Sequence, residues 1–519
     1  MNEIRRGGRR SDHRQALEQE APFDLLIIGG GASGAGAALD AVTRGLKVAL
    51  LERDDLSAGT SSRSTKLIHG GVRYLEKAVK RLDRTQFALV RDALHERAVL
   101  LRNAPHLCHA LPLVTPLYAT LQVPYIMTGL KMYDWLAGRT NLHPSRFVNA
   151  REAKRRFPQL KAAGLRGGVI YYDGQFDDAR MNVAIALSAA ERGAVIVTHA
   201  EVTALHHEGG RVAGVTVLDR LSGERVEVGA RAVVNATGPY ADSVRRLDDP
   251  EAEPMLSASS GIHIVLDGRF APPDTGLLIP QTEDGRVLFL LPWLGSTLIG
   301  TTDQPAPVVD DPEASEQEIE YILRHLERYF DVPVTRGDVK AAWSGLRPLV
   351  SDPKASDTAR LSRDHVVHVS DSGLVTIAGG KWTTYRRMAT DTVDAAITAG
   401  RLGDVPRPAT VDLKLVGAER LDPDGVAALQ ARGFEADVAD YLHHAYGDRA
   451  ELVAKLATDG LGARLAADHP YLEAEVVYAQ RHELAVSAAD VLYRRTRLGF
   501  LDEAATAAAM PRVEALLES

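Results

Sequence analysis

Cysteine is almost absent: Cys108 is the one cysteine in 519 residues. A single thiol excludes an intramolecular disulfide framework and a Cys-x-x-Cys redox pair. Long apolar runs are missing too. The longest stretch without an acidic or basic side chain, histidine aside, covers residues 103–130, and it contains Pro105, Pro112, Pro116 and Pro124. A spanning helix would hardly tolerate four prolines, so no transmembrane segment is expected. The first twenty residues are polar and Arg-rich, lack the apolar core of a secretory signal, and read as a flexible tail. Basic charge is not in excess either, with 61 Lys and Arg against 69 Asp and Glu. A net charge of −8 argues against nucleic acid as the main partner. The chain is expected in the cytoplasm and at most peripheral to a membrane. No internal repeat and no EF-hand loop is found, and no metal is expected; Asp422-Pro-Asp-Gly lacks the remaining ligands of the twelve-residue pattern.

What remains is ordinary for a globular chain, 45% hydrophobic and 25% charged. The length exceeds what one core usually supports, so two or three domains are expected.

Residues 25–53 carry the most informative pattern. Residues 25–28 read as a buried strand, Gly29-x-Gly31-x-x-Gly34 follows, residues 35–44 read as a helix, and residues 47–51 as a second strand ending in Glu52. This is the βαβ dinucleotide fingerprint in its required context. Gly29 permits the tight turn, Gly31 admits a pyrophosphate to the backbone, and Gly34 lets the helix close on the strand. The helix N-terminus then faces the phosphates. Glu52 stands where a carboxylate would hold a ribose 2′-hydroxyl. By itself this pattern leaves NAD and FAD equally open. No Cys-x-x-Cys accompanies it, which removes the disulfide-reductase branch of flavoproteins.

Residues 59–74, polar and Gly-rich, form a poor core segment and a good ligand-facing loop. Residues 75–101 read as a charged helical region. Residues 125–136 place Ile126, Leu130 and Tyr133 on one helical face, near the basic cluster Arg151, Lys154, Arg155 and Arg156. Such a helix can rest on an anionic membrane or pack on its own core. A helix over residues 178–192 precedes short strands ending at residues 233–239, a strand running into a Gly turn. Residues 262–303 are mostly β. Ser315 with Glu318 fits a capping box for a helix over 315–330. Residues 376–386 open another helix, running to about residue 399. From about residue 408 the pattern turns to Ala-rich helical periodicity, with helices expected over 427–442 and 471–492.

The fold class that follows is α/β: a Rossmann-like FAD-binding domain interleaved with a β-rich substrate domain, plus a C-terminal α-helical domain. The boundaries are a tail over 1–20, an oxidoreductase domain over 21–405 and a separate helical domain over 410–519. Within 21–405 the FAD-binding part is mainly 21–110, 175–245 and 370–405, and the substrate part mainly 111–174 and 246–369. Only one GxGxxG is present, whereas paired Rossmann domains for flavin and NAD(P)H would usually show two. FAD held permanently, with electrons passed elsewhere, fits better.

The segments IIGGGASGAGAALDA, GTSSRSTKLIHGGVRYLE, VNATGPYAD, LPWLGSTLIGTTD, WSGLRPL and AGGKWTTYRRMA closely resemble those of FAD-dependent glycerol-3-phosphate dehydrogenases of the respiratory type, within the D-amino-acid-oxidase-like flavoproteins. YLEAEVVYAQRHE and DVLYRRTRLGFLD look like that family's helical cap, and the resemblance covers residues 22–510. It implies hydride transfer from C2 of sn-glycerol 3-phosphate to flavin, giving dihydroxyacetone phosphate, with electrons going to a membrane quinone. It also implies a cofactor set of Gly29, Gly31, Ser33, Gly34, Glu52, Arg53, Thr60, Ser61, Ser62, Thr65, Lys66, His69, Gly70, Val202, Thr237, Gly238, Gly379, Gly380, Lys381 and Thr383. A phosphate monoester carries about −1.5 to −2 charges, so its pocket needs cations. Arg73, Arg347 and Lys381 are the candidates, with Thr384 and Asp303 supporting them. Oxidising an alcohol by hydride loss also requires a proton acceptor, for which His263 is preferred over His69. In several bacterial members a lysine precedes the strand corresponding to residues 262–266, where this chain has Ser260 and Ile262. A homodimer is compatible with the sequence. An oxygen-using glycerol-3-phosphate oxidase, an amine or amino-acid oxidase and a non-catalytic FAD-binding protein remain as alternatives.

Overall fold

The computed structural model describes residues 8–71, 84–119, 122–280, 282–283, 285–351 and 365–518. Two sheets and a helical C-terminal region share it. The first sheet has the strand order His365–Val369, Val375–Gly379, Arg225–Asn235, Phe23–Ile28, Val48–Leu51, Val195–Val197. Its inner pairings are parallel, and His365–Val369 runs antiparallel at one edge. The inner strands read as continuous apolar runs because both faces are covered. Helix Ala32–Thr43 and helix Tyr385–Ala399 pack together on the sheet. A Cβ on Gly36 would lie 2.8 Å from the Tyr385 ring, so these helices approach more closely than an alanine would allow. Ligands bind outside the carboxyl ends of such strands, here at Ile28, Leu51, Asn235 and Gly379.

At the opposite edge the structure corrects the reading of a flexible tail. Residues Arg10–Glu20 form a helix against Val195–Val197. Leu17 is fully buried, and Arg10 pairs with Asp219 at 2.9 Å and donates to the Thr198 carbonyl at 2.7 Å. His13 Nδ1 accepts from the Ile196 N–H, so the helix covers an edge strand that would otherwise expose its backbone. Composition concealed this, because the helix is held by ion pairs and one leucine.

Among the described residues the second sheet has ten strands and is mostly antiparallel. Leu256–Asp267 lies between Ser296–Gly300 and Val339–Val350, with Ser259 opposite Arg347 and His263 opposite both Trp343 and Gly300. Helix Glu316–Tyr329 begins at Ser315, whose side chain accepts from the Glu318 N–H and donates to its carboxylate.

The C-terminal region is helical, yet it shares a core with the second sheet: Val265, Trp293, Leu298, Ala341 and Trp343 belong to the same cluster as Tyr441, Leu492 and Phe500. The helical domain expected over 410–519 is therefore packed firmly against that sheet. Both long helices expected there are broken. Gly433, at φ +94°, separates Gly425–Ala431 from Ala436–Tyr446. Helix Glu473–His482 stops where Leu484 adopts φ +62° and the buried Glu483 turns to Arg180 and Arg495. Among the described residues no helix is long and apolar enough to cross a membrane.

Candidate functional site

One cleft of about 2830 Å³ runs between the two sheets. That is well above the roughly 300–1,000 Å³ that holds a single drug-sized ligand, which leaves room for a two-part cofactor together with a substrate.

Its nucleotide end is made of backbone. Helix Ala32–Thr43 starts at Gly31 without a side-chain cap, so its N-terminus faces the cleft. A Cβ on Gly34 would fall 1.9 Å from the Gly29 carbonyl oxygen, and one on Gly29, at φ +108°, would fall 2.7 Å from that of Ala236. No residue with a side chain fits either place. Glu52 follows the next strand, and its carboxylate accepts from the Gly30 N–H at 2.5 Å and the Asp54 N–H at 2.8 Å. Burial raises its pKa, and those backbone donors oppose the rise. Val202 lines the same end at a bulge in its strand, as do Arg53, Thr237 and Gly238. Arg53 is stacked 4.7 Å over Tyr240 and paired with Asp54 and Asp310. The glycine cradle, the helix N-terminus at Gly31 and the carboxylate fit the ADP half of a dinucleotide.

Ser61 is where the segments meet. Its hydroxyl accepts from the Ala32 N–H at 2.9 Å, and its carbonyl accepts from the Trp382 indole N–H at 2.9 Å. Thr60 Oγ1 donates to the Leu346 carbonyl at 2.6 Å. Residues 59–62 thereby tie the glycine loop to both returning segments, 376–386 and 339–350.

The reaction end is made of side chains. His263 is buried, its ring stacked on Trp343 at 4.3 Å and laid against Gly300, whose added Cβ would meet it at 2.2 Å. Nε2 lies 3.0 Å from Thr65 Oγ1, and the buried Nδ1 has no hydrogen-bond partner among the described residues. Burial, then the charges of Lys66 and Arg347, holds this imidazole well below its ordinary pKa. Each of these causes favours the neutral ring. Arg347 lies over Gly261, where a Cβ would come within 2.2 Å of the guanidinium. Its Nη2 donates to Thr301 Oγ1 at 2.9 Å and to the Thr302 carbonyl at 3.0 Å, and its Nη1 reaches Asp303 at 3.4 Å. Asp303 also pairs with Arg286 at 3.2 Å and accepts from the Ser259 hydroxyl. One carboxylate thus orients two guanidiniums, whose planar donor forks are of the type that binds an anion. Lys381 lines the cleft between the Gly379-Gly380 turn, both at positive φ, and Thr383. His69 lines it as well; its backbone N–H donates to Thr383 Oγ1 at 3.3 Å, and its ring is 6.4 Å from that of Phe289.

The structure therefore brings together Gly29, Gly31, Ser33, Glu52, Arg53, Thr60, Ser61, Thr65, His69, Val202, Thr237, Gly238, His263, Asp303, Arg347, Gly379, Gly380, Lys381 and Thr383 around one cleft. Arg73 lies outside the described residues. Five expected contacts are placed elsewhere. Gly34 sits behind the loop and permits the turn. Lys66, at φ +61°, points inward: its ammonium pairs with Asp178 at 2.7 Å and donates to the Ser62 carbonyl, and burial pushes its pKa down to about 7. Ser62 is fully buried and bonded to Gly59. Gly70 packs under Leu94 and donates its N–H to Tyr133 Oη at 2.7 Å. Thr384 Oγ1 donates to the Lys381 carbonyl at 3.1 Å, which fixes the Lys381 turn from outside the cleft. Sequence reasoning missed Arg286, whose segment carries no distinctive motif, Thr301, although it lies within LPWLGSTLIGTTD, and Asp490 and Arg494 of the C-terminal region, which also line the cleft.

Comparison with known proteins agrees with this geometry. Residues 24–386 match the family model for FAD dependent oxidoreductases, and residues 408–519 that for the C-terminal domain of alpha-glycerophosphate oxidase. The chain is 51% identical over 516 residues to the mitochondrial glycerol-3-phosphate dehydrogenase of Mus musculus, covering 96% of this chain and 71% of that one. It is 49% identical over 520 residues to the mitochondrial enzyme of that name from Arabidopsis thaliana, covering 96% and 83%. Among solved structures, the glycerol-3-phosphate dehydrogenase of Bacillus halodurans complexed with FAD superimposes with a TM-score of 0.77 at 29% identity, covering 99% of this chain and 98% of that one. The L-alpha-glycerophosphate oxidase of Mycoplasma pneumoniae with FAD bound shares the fold, with a TM-score of 0.56 at 16% identity over 76% of this chain and 98% of that one. The cofactor of the cleft is FAD.

Proposed function

Because the chain belongs to the family of FAD-dependent glycerol-3-phosphate dehydrogenases, we propose that it oxidises sn-glycerol 3-phosphate to dihydroxyacetone phosphate and that a membrane quinone takes the electrons. The observation that carries this reading is a buried neutral imidazole and a carboxylate-oriented guanidinium pair lining one cleft with the glycine loop. Bound FAD supplies a two-electron hydride acceptor. Glu52, the Gly29–Gly34 turn and Thr237 hold its ADP half; Thr65, Gly379, Gly380 and Thr383 lie toward its flavin half.

Arg347 and Lys381 take the phosphate, and Arg73 is the third cation that the resemblance assigns to it. That binding fixes C2 of the substrate within the cleft, and positioning of this kind lowers the barrier on its own. Loss of hydride from C2 and of the proton from its hydroxyl turns the carbinol into a ketone. His263 accepts that proton; Thr65 and Trp343 orient its ring.

The acceptor reading is supported by helix Gln122–Ala137. Tyr125, Ile126 and Gly129 line the cleft, while Trp135 is 77% exposed, and Phe147, Arg146, Arg151 and Arg155 on the following strand and helix are exposed as well. An aromatic and basic surface of this kind suits the interface of an anionic membrane, where quinone dissolves. The test is reoxidation of the substrate-reduced protein. A short-chain ubiquinone analogue is expected to restore the flavin absorbance within one turnover time, whereas air restores it slowly and yields little peroxide. Rapid peroxide formation with no response to quinone would make the protein an oxidase.

A further inference from the structure

The C-terminal region reaches the nucleotide end of the cleft as well as the second sheet. Asp55, three residues beyond Glu52, is fully buried. Arg495 grips it with two parallel bonds of 2.7 and 2.9 Å, and Arg494 Nε adds a third at 2.9 Å. Arg494 Nη2 also donates to Asp490 at 2.7 Å. Asp490 in turn lies 3.1 Å from His199 Nε2. His199 closes the neighbouring strand: its N–H donates to the Asp54 carbonyl at 2.6 Å, and the Ala200 N–H donates to that of Glu52 at 2.8 Å. One π-helical turn, Asp490–Arg495, therefore holds both strand ends that flank Glu52. The same turn forms cleft wall through Asp490, Tyr493 and Arg494, next to Ser487 and Ala489. Burying three charged groups, with Arg494 and His199 partly buried beside them, to join two regions is a poor way to gain stability, since apolar packing of equal volume does as well or better. Such an arrangement does fix geometry, and a widened turn of this type is frequent at functional sites.

We propose that the C-terminal helical region is part of the FAD site: Arg494 and Tyr493 wall the ADP half, and the Arg494–Asp55 and Asp490–His199 pairs position the Glu52 carboxylate. The region would then act in cofactor retention, independently of which substrate the flavin oxidises.

The test uses the full-length chain stripped of FAD and does not involve glycerol phosphate. Arg494→Gln is expected to weaken FAD, measured by flavin fluorescence, by about tenfold or more, the loss of one charge-assisted hydrogen bond. ADP, measured by displacement, is expected to weaken by the same factor. Unchanged affinity for both would overturn the proposal. The unmutated protein gives a second readout that does not depend on the variant folding. Adding ADP is expected to slow amide hydrogen exchange over residues 487–494 as well as over residues 29–34. Slowing confined to residues 29–34 and 52 would show the C-terminal region to be a structural neighbour only.

Discussion

The two ends of the cleft are built in opposite ways. At the nucleotide end the glycine loop supplies backbone from one contiguous stretch, its essential residues are those with no side chain to interfere, and Glu52, Val202 and Thr237 complete the wall. At the reaction end the atoms are side chains, and Thr65, His263, Arg286, Arg347 and Lys381 come from five separated segments. The pyrophosphate and ribose are the same in every FAD, so a fixed local motif can serve them. A substrate must be recognised by charge and shape, and those are assembled by topology, with antiparallel strands setting Arg347 opposite Ser259 and His263 opposite Trp343.

The contrast is broken most severely at Gly34. Valine there would drive its Cβ into the Gly29 carbonyl, so Gly34→Val is expected to abolish flavin binding altogether. The absorbance of the purified protein reads this directly, and a yellow, flavin-loaded variant would mean that the loop tolerates a side chain. Changes at the reaction end should leave the flavin in place. His263→Ala is expected to lower kcat about 10²–10⁴-fold, the usual contribution of a positioned base. Arg347→Ala is expected to act mainly on KM, raising it on the order of a hundredfold, because removing one partner of a partly buried charge pair costs about 2–5 kcal/mol. Steady-state kinetics at saturating FAD separate the two. Loss of flavin from either variant would place these residues at the wrong end of the cofactor.

Legibility in the sequence follows the same division. The glycine loop, its two strands and the Ser315 cap were readable because each rests on contacts within a few residues. Lys66 was not: whether it faces the cofactor or the interior depends on a left-handed backbone and on Asp178, 112 residues along the chain. Ser62 and Gly70 were misplaced for the same reason, their neighbours being supplied by the C-terminal region and by Tyr133. The helix over Arg10–Glu20 was invisible to hydropathy, since Asp219 and Thr198 stabilise it. Arg286 carries no motif, and its role is visible only once Asp303 stands between it and Arg347.

The central claim is that a cofactor held at one end of the cleft is reduced by a phosphorylated polyol bound at the other. Anaerobic titration of the FAD-loaded protein with sn-glycerol 3-phosphate measures it directly. The flavin absorbance is expected to bleach at about one equivalent of substrate in the wild-type protein, and only at much higher concentrations in Arg347→Ala. An absorbance that stays unchanged in the wild-type protein would contradict the account.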